Sequence, residues 1–287
     1  YIDTSKVTTM ISTFEDCSSL EELDLSNFNT KSVNDMSGLF KGCINLKSIK
    51  ISNFDTSQVT NFGGMFSRCV SLESIDVSKF NTSNAKYLGA MFSSCENLTS
   101  IDVSRFDTRN VEVMNAMFER CYNLESIDVS KFDTSKVTLI SSMFSECHKL
   151  KYIDVSNFDL RKVQSTSFIF YDCFSLTSLD LSRFQTDNLQ QMSYMFYNCR
   201  NLTSIDITNF NTKKVILADS LFSGCSSLKS IDLSHFDTSL LRNTDYMFRN
   251  CTSLISIDFT NFKTKVITSM QSTFMNCISL EQIYYLY

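Results

Sequence analysis

Proline and tryptophan are missing from this 287-residue chain, and glycine occurs only six times. With so few of the usual chain breakers, its turns have to be made by Asn, Asp, Ser and Thr, whose short side chains bond to nearby backbone. Basic charge is not in excess: the formal net charge is −5 and the pI near 5.1, which argues against a surface built for nucleic-acid phosphates or anionic lipid. No apolar run approaches the roughly 18 residues of a membrane span. The opening YIDTSKVTTM lacks the layout of a signal peptide, so any targeting signal is expected outside this stretch. What is present, 43% hydrophobic and 20% charged residues, suffices for a large core and is not the composition of a disordered chain.

The eleven cysteines, from Cys17 to Cys277, follow one another at intervals of 26 residues with no insertion. A Phe precedes each by three residues and a Leu follows each by three, as in VEVMNAMFERCYNLESIDVSKFDTSK from Val111 to Lys136. Such an array leaves no internal domain boundary. Within each unit the apolar spacing changes. Val111, Met114, Met117, Phe118 and Cys121 fit one face of a short α- or 3₁₀-helix, with Thr108 as its cap and Asn123 as a left-handed residue after its end. Leu124, Ile127 and Val129 then alternate around Asp128 as a strand, and Phe132 plugs the turn.

A unit of one strand and one short helix cannot bury its own apolar face, so copies stack. The expected fold is α/β: a leucine-rich-repeat solenoid with one short parallel strand and one short helix per 26-residue coil. Strands stack at about 4.8 Å and helices at closer to 10 Å, which predicts a concave strand face. Residues 1–287 are expected to form a single uncapped array of about eleven repeats, a fragment of a longer chain, with Ile283, Tyr284, Tyr285, Leu286 and Tyr287 as a partial cap.

The blocks L-x-x-I-D-V-S and M-F-x-x-C-x-x-L resemble the BspA-like leucine-rich repeats, and more closely the 26-residue repeat of surface proteins and lipoproteins of Gram-positive bacteria and mycoplasmas. The resemblance covers the whole chain, and implies a surface location with adhesion and partner binding. The chain departs from the usual pattern in placing Phe28, Phe54 and Phe80 where an Asn ladder often lies.

Stacking turns each repeat position into a column. The Cys column lacks the close pairs of a metal site, and its odd total does not suit disulfides, so it is read as buried free thiols. Met and Phe columns are read as core, and His148 and His235, at different repeat positions, imply no catalytic set. On the strand face, flanked by hydroxyl columns, lies the acidic column Asp76, Asp102, Asp128, Asp154, Asp180, Asp206, Asp232 and Asp258. Like charges at one-strand spacing repel, so these carboxylates are expected to titrate above their ordinary values unless the hydroxyls or Lys79, Arg105, Lys131 and Arg183 relieve them. The column is also the candidate for Ca²⁺ or Mg²⁺; no other cofactor and no catalytic residue is implied.

Variation concentrates around the cysteines. Tyr122, Tyr152, Tyr171, Phe174, Tyr197, Arg200 and Ile255 are the candidates for partner contact. The repeat in which Leu160 and Arg161 replace Thr and Ser, and which also holds Thr166 and Phe168, is the expected place for the regular coil to lapse. The functional expectation is a non-enzymatic module of a surface-exposed or secreted protein, mediating protein–protein interaction or adhesion. Its ligand would be a protein, a host surface or neighbouring copies, not nucleic acid. The alternative is a structural spacer or filament subunit without a specific ligand.

Overall fold

A computed structural model describes residues 2–284 as a β-solenoid of 26-residue coils. The strands are β1 (Glu22–Asp24), β2 (Ser48–Lys50), β3 (Ser178–Asp180), β4 (Ser204–Asp206), β5 (Ser230–Asp232), β6 (Ser256–Asp258) and β7 (Gln282–Tyr284); at 74–76, 100–102, 126–128 and 152–154, where the repeat also predicts a strand, none forms, and a single bridge links Ser100 with Ser126. All pair in parallel, β1 with β2, β3 with β4, and β5 with β6 with β7, each residue facing the one 26 further on, as in Leu179 with Ile205. Ile283 and Tyr284 thus prolong the strand ladder; Tyr285, Leu286 and Tyr287 lie outside the described residues.

The expected helix is not there: no helix occurs among the described residues. The segment from Met114 to Cys121 is a chain of tight turns. Met117, Glu119 and Cys121 close them by donating backbone N–H to Met114, Ala116 and Phe118 at 3.3, 3.1 and 3.3 Å. The intervening N–H groups of Met114, Ala116, Phe118 and Arg120 donate instead to Leu139, Ser141, Met143 and Ser145 of the next coil, at 2.8–2.9 Å. A helix would keep all of these bonds internal; the turns share half of them along the solenoid axis. The spacing 3, 3, 1 and 3 therefore reflects successive three-residue corners, not a helical period. The left-handed residues are Ala116 (φ 56°) and Arg120 (φ 57°), not Asn123. Without helices, the thickness mismatch behind the expected concave strand face falls away. The phenylalanines of the turn side stack at ring-centroid distances of 5.3–6.0 Å, against about 10 Å for packed helices.

Inside, one continuous core runs the length of the array, formed by the Val, Met, Phe, Cys, Leu and Ile columns together with the Phe plug. All eleven cysteines are free thiols. They are also hydrogen-bond donors: from Cys43 to Cys277 each Sγ–H points at the carbonyl of the Phe of the preceding coil, at 3.0–3.2 Å. Burial pushes the Cys43 thiol up to about 11 and Cys121 and Cys225 to about 12. Thr108, expected as a helix cap, belongs to a second polar ladder. Its hydroxyl donates to the Asp133 carbonyl (3.0 Å) and accepts the Asp133 N–H (2.7 Å), as the Thr134 hydroxyl does with Asp159. Together the thiol and threonine ladders satisfy backbone groups at the buried corners.

The coil of Leu160 is where this regularity lapses. Leu160 is buried but has no hydroxyl to offer, and a backbone bridge between Asp159 and Gln185 takes over the tie. On the turn side, parallel bridges link Thr9, Asp35, Asn61, Tyr87, Val113 and Leu139, then Ser165, Gln191, Leu217, Asn243 and Ser269. Between Leu139 and Ser165 there is no bridge, and the Ser141 hydroxyl reaches the Ser165 carbonyl instead at 3.2 Å. In the same coil Thr166 stands in the Met column, fully buried, with its hydroxyl unpartnered.

Two outcomes follow. Thr166→Val, which removes the unpartnered hydroxyl, should stabilise by about 1 kcal/mol, whereas Thr134→Val, which leaves Asp159 N–H and C=O unpaired, should cost about 2 kcal/mol. Denaturant melts of the two variants check this. In native protein a thiol reagent should modify only the half-exposed Cys17 and Cys277, the other nine reacting on unfolding.

Candidate functional site

Each acidic residue of the strand face is built into a local turn. Asp24 and all eight members of the column accept the backbone N–H two residues on at 2.8–3.1 Å, as Asp128 does from Ser130. A second set, Asp55, Asp107, Asp133, Asp159 and Asp237, does the same before the next segment. These Asx turns supply the corners of a proline-free chain. They also correct the titration expected of the column. Hydrogen bonds from Ser78, Ser104, Ser130, Ser182 and Ser234 hold Asp76, Asp102, Asp128, Asp180 and Asp232 below the ordinary carboxylate value. Lys79, Arg105, Lys131 and Arg183 add a smaller pull in the same direction. Asp24, hydrogen-bonded by Ser26 and then Lys50, is lowered to about 2. Among the described residues no three His, Cys, Asp or Glu side chains converge as a ligand set for a metal.

The predicted contact residues divide into two groups and two outliers. Tyr122 and Phe174 sandwich His148, at ring-centroid distances of 4.7 and 4.5 Å, and the Arg200 guanidinium covers the far face of Phe174 at 4.6 Å. This row runs along four successive coils. Burial lowers the His148 pKa, the nearby Asp172 and Glu146 opposing it. Beside the row, Arg120 Nε donates to Glu146 (3.1 Å) and Asn198 Nδ2 to Asp172 (2.9 Å), whose carboxyl burial pushes up.

Tyr171 and Tyr197 stack at 4.9 Å, and Phe168 and Tyr194 stack next to them at 5.0 Å. Tilted contacts between the pairs, 5.6 Å for Phe168 with Tyr171 and 5.7 Å for Tyr194 with Tyr197, join the four rings into one tile. On the flanking coils the corresponding positions are serines: Ser142 and Ser145 before, Ser220 and Ser223 after. The tile therefore stands above its surroundings, on the coil of Leu160 and the one that follows.

Tyr152 and Ile255 lie elsewhere. Tyr152, 65% exposed, borders a depression of about 580 Å³ on the strand face with Asp154, Asp180, Asp206 and Arg183. Ile255, 45% exposed, precedes β6.

Sequence reasoning singled out Tyr171 and Tyr197 but not Tyr194, and named Phe168 only as part of the irregular repeat. Both have left-handed backbone, φ 63° at Phe168 and 59° at Tyr194. The equivalent position is Ser12, Gly38, Gly64, Ala90, Ala116 or Ser142 in the earlier coils and Ser220, Tyr246 or Ser272 in the later ones. Placing a bulky L-residue there costs about 1 kcal/mol. A large aromatic at a glycine-tolerant repeat position was the readable signal.

The lowered carboxylates fix the sign of the acid response. Their folded-state pKa lies below the unfolded value, so the stabilisation is complete above the ordinary 3.8 and disappears as pH falls toward about 2, where Asp24 protonates. Melting temperature should fall steadily across that window. At neutral pH Asp128→Asn, which keeps an acceptor for Ser130, should melt close to the parent, and Asp128→Ala clearly below it.

Among solved structures, the chain is similar to a leucine-rich cell surface protein from Faecalibacterium prausnitzii, at 21% identity over 93% of this chain and 79% of that one, TM-score 0.42. It is also similar to a leucine-rich repeat protein from Bacteroides ovatus, at 21% identity over 96% and 82%, TM-score 0.38. A third is a leucine-rich repeat protein from Eubacterium ventriosum, at 17% identity over 94% and 80%, TM-score 0.34. No curated protein matches the sequence. The family described as Mycoplasma protein of unknown function, DUF285, matches residues 8–101, 90–204 and 174–285. The chain belongs to that family, and its 26-residue solenoid is a leucine-rich-repeat array of the BspA-like kind.

Proposed function

We propose that this solenoid is a non-enzymatic interaction module of a surface-exposed or secreted protein, and that it holds a protein on a host surface through the tile of Phe168, Tyr171, Tyr194 and Tyr197. One observation carries the reading: Phe168 and Tyr194 occupy left-handed positions where every other coil but that of Tyr246 has Gly, Ala or Ser, and they alone stack with neighbouring tyrosines into a tile. Folding alone favours a small residue there, so exposed aromatic rings at that position work against stability. Tyrosine edges and hydroxyls above a serine-lined surround are the usual composition of a binding hot spot.

Phe168→Gly/Tyr194→Gly tests this. Because Gly38 and Gly64 already occupy the same column, the double variant should fold, with a melting temperature equal to or above the parent's. It should lose at least tenfold in saturable binding of the purified array to host-cell surfaces that have been shown to lose their binding on protease treatment. Unchanged binding would remove the tile from the site. A parent array with no saturable binding would leave the spacer reading in its place.

A further inference from the structure

A second surface lies past the end of the aromatic row. The position just before each cysteine forms a column of side chains running Asp172, Asn198, Gly224, Asn250 and Asn276. Neighbours in it bond to each other: Asn198 Nδ2 donates to Asp172 (2.9 Å) and Asn276 Nδ2 to Asn250 Oδ1 (2.8 Å). Gly224, at φ 79°, interrupts the column. A Cβ there would run into Asn198 Oδ1, so the carboxamide already leans over the gap. The interruption leaves the Asn198 Oδ1 acceptor and the Asn250 Nδ2 donor on its two sides without a hydrogen-bond partner among the described residues. Around the gap is a depression of about 470 Å³ lined by Asn198, Arg200, Gly224, Ser226, Asn250 and Thr252, with Asn276 and Ile278 at its far end. Arg200 is the one cation of that lining. Its guanidinium stacks on Phe174 at 4.6 Å and makes no ion pair among the described residues.

Carboxamides offer a donor and an acceptor together, which matches a hydroxyl that is also both. A guanidinium held flat against a ring presents its fork to a carboxylate. One cation among several carboxamides and hydroxyls suits a ligand rich in hydroxyls that carries a single acid group; an acidic peptide would call for several cations. The groove crosses successive coils, whose spacing of about 4.8 Å is close to the length of one sugar ring. We infer that the Arg200–Gly224–Asn250 groove binds an oligosaccharide bearing a carboxylate, with the acid on Arg200 and ring hydroxyls on Asn198 and Asn250.

Isothermal titration of the chain with 3′-sialyllactose, lactose and a poly-glutamate peptide tests it. Saturable binding of sialyllactose is expected, with lactose at least tenfold weaker and poly-glutamate weaker still. Arg200→Gln should reduce the affinity to that of lactose. Gly224→Asn should abolish binding by filling the gap; it should fold, because Asn198, Asn250 and Asn276 hold the same column position at φ 54°, 60° and 62°. Tyr171→Ala should leave sialyllactose binding unchanged, which separates this groove from the tile. Equal affinity for lactose, undiminished binding in either groove variant, tighter binding of poly-glutamate, or no binding by the parent would overturn the assignment.

Discussion

The structure depends on hydrogen bonds that run along the axis of the array. In each coil the N–H groups at alternate turn residues, Met114, Ala116, Phe118 and Arg120 in one instance, are answered only by carbonyls 25 residues further on. A buried amide left without that partner costs a few kcal/mol, so a one-residue change of length in any coil would unpair a whole row. The unbroken 26-residue interval of the cysteines is the trace of this constraint. The left-handed residues follow from it too, because only alternation between right- and left-handed turns aims successive N–H groups at the same neighbouring coil. Their strain is tolerated since interior coils are held on both sides.

The same constraint brings like residues together. Phenylalanines stack on phenylalanines through the array, thiols point at the carbonyls of the preceding coil, and threonine hydroxyls tie one coil to the next. For acids this arrangement carries repulsion, and the answer is local. Each carboxylate of the strand-face column is given a backbone N–H two residues on, with a nearby Lys or Arg in several coils. From Asp76 to Asp258 a column built this way repeats coil after coil and singles out no place along that stretch. Chemical distinctness therefore arises where columns are broken.

Two such breaks stand out. At the coil of Leu160 the threonine ladder loses a member, the turn-side bridge lapses between Leu139 and Ser165, and Phe168 puts a ring where a small residue fits best. At Gly224 the column before the cysteines loses its side chain and leaves carboxamide groups unspent beside Arg200. Both are departures of one or two residues from an otherwise repetitive frame. The frame supplies rigidity, because each coil is bonded on both sides, and the departures supply chemical distinctness.

By itself, the sequence determined the period, the inward columns and the free state of the thiols, because those depend only on which residues recur every 26 positions, whereas the parallel strand it placed at Ser-Ile-Asp forms at Ser204–Asp206 but not at the identical 126–128. It also marked the Leu160 repeat as irregular and named Tyr171, Tyr197, Phe174 and Arg200. Tertiary structure alone decided that the other half of each coil is a run of turns. The apolar spacing from Val111 to Cys121 is equally good for one face of a helix, and only the bonds to the next coil distinguish the two. It decided that Asp76, Asp102, Asp128, Asp180 and Asp232 titrate low, since their acceptor role depends on turn geometry and not on charge spacing. It decided as well that His148 is held between Tyr122 and Phe174, residues 52 positions apart in the chain that stacking coils place on either side of one ring.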